Sequence, residues 1–268
     1  METTKSNFDC FNPDSNEYPV IFSLPHSGTF VPEEIRTVLR SEAVLANSDW
    51  FLQELYSFLP ELGLTVIQNN INRYIADPNR KSFAIDDDND YRHNVVYQHN
   101  TFGHDLYDEP LSKAQIEDRL TRFYHPYHDQ LQKLIDYKLD KFDEIYLVDL
   151  HSFAYYPRFE MMSPADFVIG NDYDNTSSDH IRSWLTNELH RKSYTVSDNF
   201  PFTGGHITKH YGRQANIHAL QLEIRYNNYI ENREFTEEEL TNYNSELFAT
   251  AQNDLKKITD LFIAKMGL

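Results

Sequence analysis

The chain has 268 residues, of which 40% are hydrophobic and 25% are charged, a composition typical of one large globular domain rather than of a disordered or fibrous protein. Its 42 acidic side chains outnumber 24 basic ones and give a formal net charge of −18, which argues against a protein that binds nucleic acid by neutralising phosphates. The single cysteine, Cys10, excludes an intramolecular disulfide and a cysteine-based zinc site.

The termini and the hydropathy pattern indicate where the protein works. No apolar run approaches the ~20 residues that span a bilayer, and the N-terminus lacks the apolar core of a secretory signal. We therefore expect a cytoplasmic protein with no membrane partner. The polar residues 1–17 are predicted to be a loose arm, and residues 18–268 a single domain.

Short apolar runs alternate with longer segments of helical period, which predicts an α/β fold. Residues 20–24 are predicted to form a strand. Beyond Ser48, a predicted N-cap, apolar residues recur at three- and four-residue spacing and predict an amphipathic helix over 49–62. Residues 65–75 are predicted to contain one or two strands.

The second half of the chain continues this alternation. Ser112 and Gln115 form a capping-box pattern, and the helix that follows is predicted to reach Lys141 with a kink near Pro126. Thr236 and Glu239 are predicted to cap the last helix. Further elements are predicted as a strand buried on both faces at 145–150, a strand at 166–170, a helix at 179–192 and an alternating strand at 219–224.

Two histidines follow predicted buried strands. His26 comes just after 20–24, and His151 just after 145–150, where side chains are both fixed and reachable. They could bind one metal ion together with a carboxylate, with Asp149 orienting the His151 ring as an outer partner. A surface or hydrogen-bonded structural role remains open for each histidine.

Two acids have competing interpretations. Glu223 lies in a predicted core strand, where it either pairs with a buried arginine or acts as a general base. Asp49 lies in the first turn of a predicted helix, where the helix dipole alone would favour an acid, or it serves as a metal ligand.

An anionic substrate would need local arginines to overcome the charge of −18. Arg73 and Arg80 flank YIADPN. They either meet this need, lie at the solvated surface or form ion pairs with the acidic run at 86–88. Gly204 and Gly205 predict a tight turn or a close approach of the backbone to a ligand, although a plain loop is equally compatible.

These residues fall within blocks that resemble the N-formylglutamate amidohydrolase family. The blocks occur in the family's order over most of the chain: SLPHSGTFVP (23–32), SDWFLQELY (48–56), NRYIADPNR (72–80), FGHDLYDEPLS (102–112), RFYHPYHDQL (122–131), VDLHSF (148–153), TGGHITKHYG (203–212) and HALQLEI (218–224).

The resemblance implies a fold similar to that of the zinc carboxypeptidases, a mixed, mostly parallel sheet flanked by helices. It implies His26 and His151 as metal ligands and Glu223 as the base. Carboxypeptidases place a glutamate three residues after the first ligand, where this chain has Thr29. The family pattern therefore implies Asp49, the acid of the SDW block, as the carboxylate ligand.

The resemblance further implies hydrolysis of a small anionic N-acyl amino acid, N-formyl-L-glutamate, by one divalent ion, zinc, and a place in histidine degradation. Arg73 and Arg80 fall in the family's arginine block and, with Gly204 and Gly205, are the expected substrate contacts. Pro78 replaces a leucine common in the family, and residues 86–90 match nothing in its pattern. Another acyl or peptidyl substrate, and a non-catalytic binding protein, remain the alternatives.

Overall fold

The computed structural model describes residues 6–82, 93–155 and 165–265. In these ranges seven strands form one sheet in the order β1-β3-β2-β4-β7-β5-β6. β1 pairs antiparallel with β3, and β5 with β7, whereas the other four neighbouring pairs are parallel. The predicted α/β fold with a mixed, mostly parallel sheet is confirmed. The strands are β1 (Phe8–Phe11), β2 (Val20–Leu24), β3 (Thr65–Asn69), β4 (Ile145–Phe153), β5 (Phe167–Gly170), β6 (Val196–Asp198) and β7 (Ile217–Arg225).

Helices cover both faces of the central strands. Alternate residues of a strand point to opposite faces. Leu147 packs with Leu131 of the helix over His125–Leu139, whereas Val148 lies in the cluster that includes Phe262 of the helix over Ser245–Lys265. Burial on both faces explains why these strands are continuous apolar runs. No helix in the described ranges is both long and apolar enough to cross a bilayer. The helices are α1 (Glu33–Arg36), α2 (Leu52–Leu55), α3 (Phe58–Glu61), α4 (Lys113–Arg119), α5 (His125–Leu139), α6 (Asp179–Arg191), α7 (His206–Tyr211) and α8 (Ser245–Lys265).

The predicted helix over 49–62 is wrong as one element. Phe51 adopts a φ of +61°, and only the short helices α2 and α3 form. The carbonyl oxygens of Ser48 and Trp50 accept hydrogen bonds from tyrosine hydroxyls instead of entering a helical ladder. Ser48 therefore caps no helix, and its hydroxyl has no hydrogen-bond partner among the described residues.

The helix predicted from Ser112 is confirmed at its start and interrupted later. Ser112 and Gln115 form a capping box at the N-terminus of α4. A π-helical turn over Leu120–Tyr124 then leads into α5, which ends at Leu139. Pro126 lies directly after this π-helical turn, where its missing N–H cannot bond back to the preceding turn of the continuous helical backbone.

The predicted start of the last helix is also wrong. α8 begins at Ser245 because Asn244 Oδ1 accepts from the N–H groups of Glu246 and Leu247, at 3.0 and 3.1 Å. Glu239 instead accepts from the Leu45 N–H at 2.9 Å, which holds the preceding loop against the N-terminal half.

Residues 6–17 are docked against the domain, although a loose arm was expected over residues 1–17, of which 1–5 lie outside the described residues. Residues 8–11 form the edge strand β1, and Asn12 Nδ2 donates to the carbonyls of Pro60 and Leu64 at 2.9 and 3.0 Å. Lys138 Nζ donates to the carbonyl of Ser15 at 2.6 Å. Backbone pairing and carbonyl contacts, which polar composition does not reveal, hold this segment.

This docking predicts that Asn12→Ala lowers the free energy of unfolding by about 1–3 kcal/mol, because it removes the donor for two partly buried carbonyls. Denaturant unfolding measures the change. The exposed Asn16, changed to alanine, is the control and should leave stability unaltered. Equal midpoints for the two variants would contradict a docked segment.

Candidate metal centre and active site

The residues singled out in the sequence converge at the carboxyl ends of three neighbouring parallel strands. His26 lies two residues after β2. His151 lies within β4 rather than after it, and its register partner on β7 is Glu223. The side chains of His151 and Glu223 therefore share one face of the sheet. Open α/β sheets bind ligands at this edge.

Asp49 reaches the same place from the loop before α2. It is not in a helical turn, so the helix dipole does not account for this acid. Its N–H donates to the His26 carbonyl at 3.2 Å, and its Oδ2 accepts from the Ser152 N–H at 3.1 Å. Only 1% of the residue is exposed.

Two tyrosines that follow β7 hold the backbone on either side of Asp49. The Tyr226 hydroxyl donates to the Ser48 carbonyl, and the Tyr229 hydroxyl lies 2.8 Å from the Trp50 carbonyl oxygen. Both tyrosines are fully buried. The carboxylate is thus fixed by long-range contacts.

The side chains of His26, Asp49 and His151 could hold a metal ion. Their ligand atoms lie within 4.8 Å of one another, and all three residues are buried. Asp49 Oδ2 is 3.0 Å from His151 Nδ1 and 3.8 Å from His26 Nδ1. Two imidazoles and one carboxylate are a donor set that zinc takes in catalytic sites.

Each of these histidines has a carboxylate on its other ring nitrogen. His26 Nε2 lies 2.6 Å from Asp77 Oδ1, and His151 Nε2 lies 2.9 Å from Asp149 Oδ2. For His26 this partner places the proton on Nε2 and leaves Nδ1 to face the centre of the group. His151 Nε2 also has the Asn79 amide nitrogen at 2.9 Å, and its Nδ1 faces Asp49. The sequence prediction missed Asp77, although an acid after the apolar run Tyr74–Ala76 resembles the signal that selected Glu223.

Burial and carboxylates set the pKa values of the two histidines. Burial, reinforced by the Arg73 charge and opposed by nearby carboxylates, lowers the pKa of His26 to about 4. Burial would also lower the pKa of His151, but Asp149 and Asp49 outweigh it and raise this pKa well above its ordinary value. Negative charge therefore dominates around His151, an environment that favours a bound cation.

Glu223 is buried with one oxygen unpartnered. Its Oε1 accepts from Gln221 Nε2 at 2.6 Å, whereas Oε2 has no hydrogen-bond partner in the described part of the chain. Burial raises the pKa of Glu223 to about 7, with His151 opposing the rise and Asp49 adding to it. Within the described ranges no arginine pairs with Glu223, so the structural ion pair considered for it is not found.

The two candidate arginines differ in their surroundings. Arg73 is 8% exposed; its Nε and Nη2 lie 3.2 and 2.9 Å from Asp77 Oδ2, and Nη2 lies 3.1 Å from the Tyr97 hydroxyl. Arg73 is therefore not a solvated surface residue, and most of its donors are occupied. Arg80 is half-buried. Its Nε is buried without a hydrogen-bond partner, and no carboxylate among the described residues pairs with it. The acidic run at 86–88 lies outside the described residues.

The glycine pair forms a tight turn at the start of α7. Gly204 has a φ of +104°, a conformation that side chains rarely adopt. A Cβ on Gly205 would lie 2.3 Å from Asn79 Nδ2. The close approach at Gly205 is thus to Asn79, whose Nδ2 is 2.9 Å from His151 Nε2.

All nine predicted site residues but Asp149 line one cleft of about 660 Å³. Asp149 lies behind His151. The cleft also has an apolar wall. The lining residues outside the predicted set are Asn47, Asn79, Thr101, Phe102, Ser152, Phe153, Ala154, Pro201, Phe202, Thr203 and Gln221.

Comparisons with known proteins identify the family of the chain. The sequence model of the N-formylglutamate amidohydrolase family matches residues 18–230. The chain is 30% identical over 258 residues to an N-formylglutamate deformylase of Pseudomonas putida, with 92% of each chain covered. It is 29% identical over 222 residues to that of Pseudomonas aeruginosa, covering 80% of this chain and 82% of the relative.

A solved structure extends the likeness to the fold. The crystal structure of an N-formylglutamate amidohydrolase from Ralstonia eutropha JMP134 superimposes with a TM-score of 0.82 at 26% identity, covering 98% of this chain and 99% of the other. Together with the family match over most of the sequence, this shows that the chain belongs to the N-formylglutamate amidohydrolase family of enzymes.

Proposed function

We propose that the protein hydrolyses N-formyl-L-glutamate to glutamate and formate with one divalent metal ion, zinc. The observation that carries the proposal is the buried group of His26, Asp49 and His151. It lines the same cleft as Glu223, whose Oε2 has no hydrogen-bond partner among the described residues. The relatives named as N-formylglutamate deformylases support the choice of substrate.

The charge of the site supports a resident cation. Four carboxylates, those of Asp49, Asp77, Asp149 and Glu223, are at most 6% exposed, and among the described residues Arg73 is the one arginine buried beside them. Buried charge is costly unless it is compensated. His26, Asp49 and His151 would hold the ion, which would supply Lewis acidity toward water and an acyl oxygen.

In this proposal Glu223 manages the proton. Its Oε2 takes a proton from the attacking water and delivers it to the amide nitrogen as the C–N bond breaks. The water oxygen ends in formate, and the nitrogen leaves as the amino group of glutamate. Burial of Glu223 favours the neutral acid after the first transfer.

Arg80 is the residue that we assign to the substrate carboxylate. The planar guanidinium can bind a carboxylate through two parallel hydrogen bonds, and its Nε lacks a partner among the described residues of the cleft. Arg73 is instead assigned to Asp77, because two of its nitrogens already contact that carboxylate. Arg73 thereby supports the carboxylate that orients His26.

The direct test is turnover of N-formyl-L-glutamate by metal-loaded protein, compared with N-acetyl-L-glutamate and N-formyl derivatives of neutral amino acids. Preference for the formyl group and for the acidic side chain would support the proposal. Turnover of another acyl or peptidyl substrate in place of N-formyl-L-glutamate would contradict it.

For the metal, we expect about one divalent ion per chain in the wild type and almost none in His151→Ala, because two remaining ligands leave the set incomplete. Elemental analysis of dialysed protein measures this. His180→Ala removes an exposed histidine and should keep the full content. A metal-replete, active His151→Ala protein would rule out the proposed centre.

For the base, Glu223→Gln should retain the metal and the fold and lose roughly 10²-fold or more in kcat, since the amide cannot accept the proton. Steady-state kinetics with metal content measured on the same samples decides this. A kcat near that of the wild type would indicate that Glu223 has a structural role and is not the base.

For the substrate carboxylate, Arg80→Lys and Arg80→Ala should each lower kcat/KM for N-formyl-L-glutamate roughly 30-fold or more. This corresponds to a loss of about 2 kcal/mol of transition-state stabilisation, because paired hydrogen bonds to a charged group are lost. An N-formyl amide without carboxylates should lose much less. Arg73→Lys should affect both substrates equally because it acts through Asp77. Arg191, which is exposed, provides the neutral control as Arg191→Ala. Equal losses on both substrates in Arg80→Lys would refute the assignment.

A further inference from the structure

A chain of two hydrogen bonds connects the glycine turn to Glu223. The Gly205 N–H donates to Gln221 Oε1 at 2.7 Å, and Gln221 Nε2 donates to Glu223 Oε1 at 2.6 Å. Gln221 is 4% exposed and lines the cleft beside Glu223. No feature of the sequence except its place two residues before Glu223 on the same strand face points to this glutamine.

The direction of both bonds is fixed by chemistry. A backbone N–H can only donate, so the amide oxygen of Gln221 must face Gly205 and its NH2 group must face Glu223. An amide NH2 also only donates, so Glu223 Oε1 must accept. Oε1 is thus occupied as an acceptor, and Oε2, which has no partner in the described residues, is the oxygen left to exchange a proton.

The anchor of this chain is rigid. Gly205 packs against Asn79 so closely that a Cβ would meet the Asn79 side chain at 2.3–2.5 Å. Asn79 is itself held, because its Oδ1 accepts from the Ile207 N–H at 2.8 Å. Gln221 is in turn fixed in β7, where its register partner on β4 is Asp149.

We infer that Gln221 is a positioning residue for the reaction: it holds Glu223 Oε1 and so presents Oε2 to the reacting atoms. Gly205 serves as the fixed end of this hydrogen-bond chain, since its N–H is already used and is not free to bind substrate. The inference deepens the proposed function and rests on it for the identity of the reaction.

A glutamine that only satisfied a buried carboxylate would contribute to the stability of the fold, whereas a positioning residue would contribute to kcat through Glu223. A double-mutant cycle separates the two roles. Gln221→Met keeps the length of the side chain and removes both hydrogen bonds. It is combined with Glu223→Gln, and kcat, KM, metal content and thermal unfolding are measured for all four proteins.

We expect Gln221→Met to lower kcat on the order of 10- to 100-fold, the effect of small misplacements of a reacting group, with KM changed less than about threefold. In the Glu223→Gln background the further loss should be less than about twofold. Gln252→Met, which removes a half-buried glutamine that donates to two carbonyls of α2, is the matched control. Equal losses in both backgrounds, or an unchanged kcat in folded Gln221→Met, would overturn the inference.

Side-chain amide NMR tests the hydrogen-bond chain without turnover. In 15N-labelled wild type, the Gln221 amide protons, identified by their loss in Gln221→Met, should exchange slowly, and Glu223→Ala should accelerate that exchange. Fast exchange in the wild type would overturn the inference even if N-formyl-L-glutamate is hydrolysed. Slow exchange in a wild type that does not hydrolyse it would place the failure in the proposed function and leave the hydrogen-bond chain supported.

Discussion

The burial of negative charge at one edge of the sheet is the constraint around which this site is organised. Asp77 and Asp149 each face a histidine nitrogen, and Asp77 also has Arg73. Asp49 has the Ser152 N–H and His151, whereas the one described partner of Glu223 is the Gln221 amide. Because a buried charge is tolerated only with partners, these contacts determine which groups are satisfied and which are left to react.

The alternation of side-chain direction along each strand, which builds the core, also places the polar groups of the site. On β4 the residues Ile145 and Leu147 pack against α5, and Asp149 and His151 follow on that face toward the carboxyl end. On β7 the residues Gln221 and Glu223 continue the apolar positions Ile217 and Ala219 in the same way. Within a single strand, the residues that share one face are thus apolar where a helix covers them and polar at the carboxyl end, where they line the site.

The segment after β7 contacts the loop of Asp49 on the other side of the site. Tyr226 and Tyr229 hold the carbonyls on either side of Asp49, and the Tyr229 hydroxyl also lies 2.9 Å from Ser152 Oγ. Strand β7 and its extension therefore position both Glu223 and the loop of Asp49. In a protein of net charge −18, the side chains of Arg73 and Arg80 provide positive charge within this cleft.

The sequence by itself determined what local periodicity and strand ends encode. Apolar runs marked β2, β4 and β7, strand-end position selected His26 and His151, and an acid among apolar residues selected Glu223. Asp49 was selected only through the family resemblance, because its local context predicted a helix. These signals are local, so they survive without knowledge of the fold.

Only the tertiary structure decided which distant groups meet. The contacts of Asp77 with His26, of the Gly205 turn with Gln221 and of Tyr229 with Trp50 each join segments remote in sequence. The same holds for the docked N-terminal segment and for the different surroundings of Arg73 and Arg80. Hydrogen bonds of this kind depend on ångström-scale distances between separate elements, which only the packed sheet fixes and which no periodicity along the chain records.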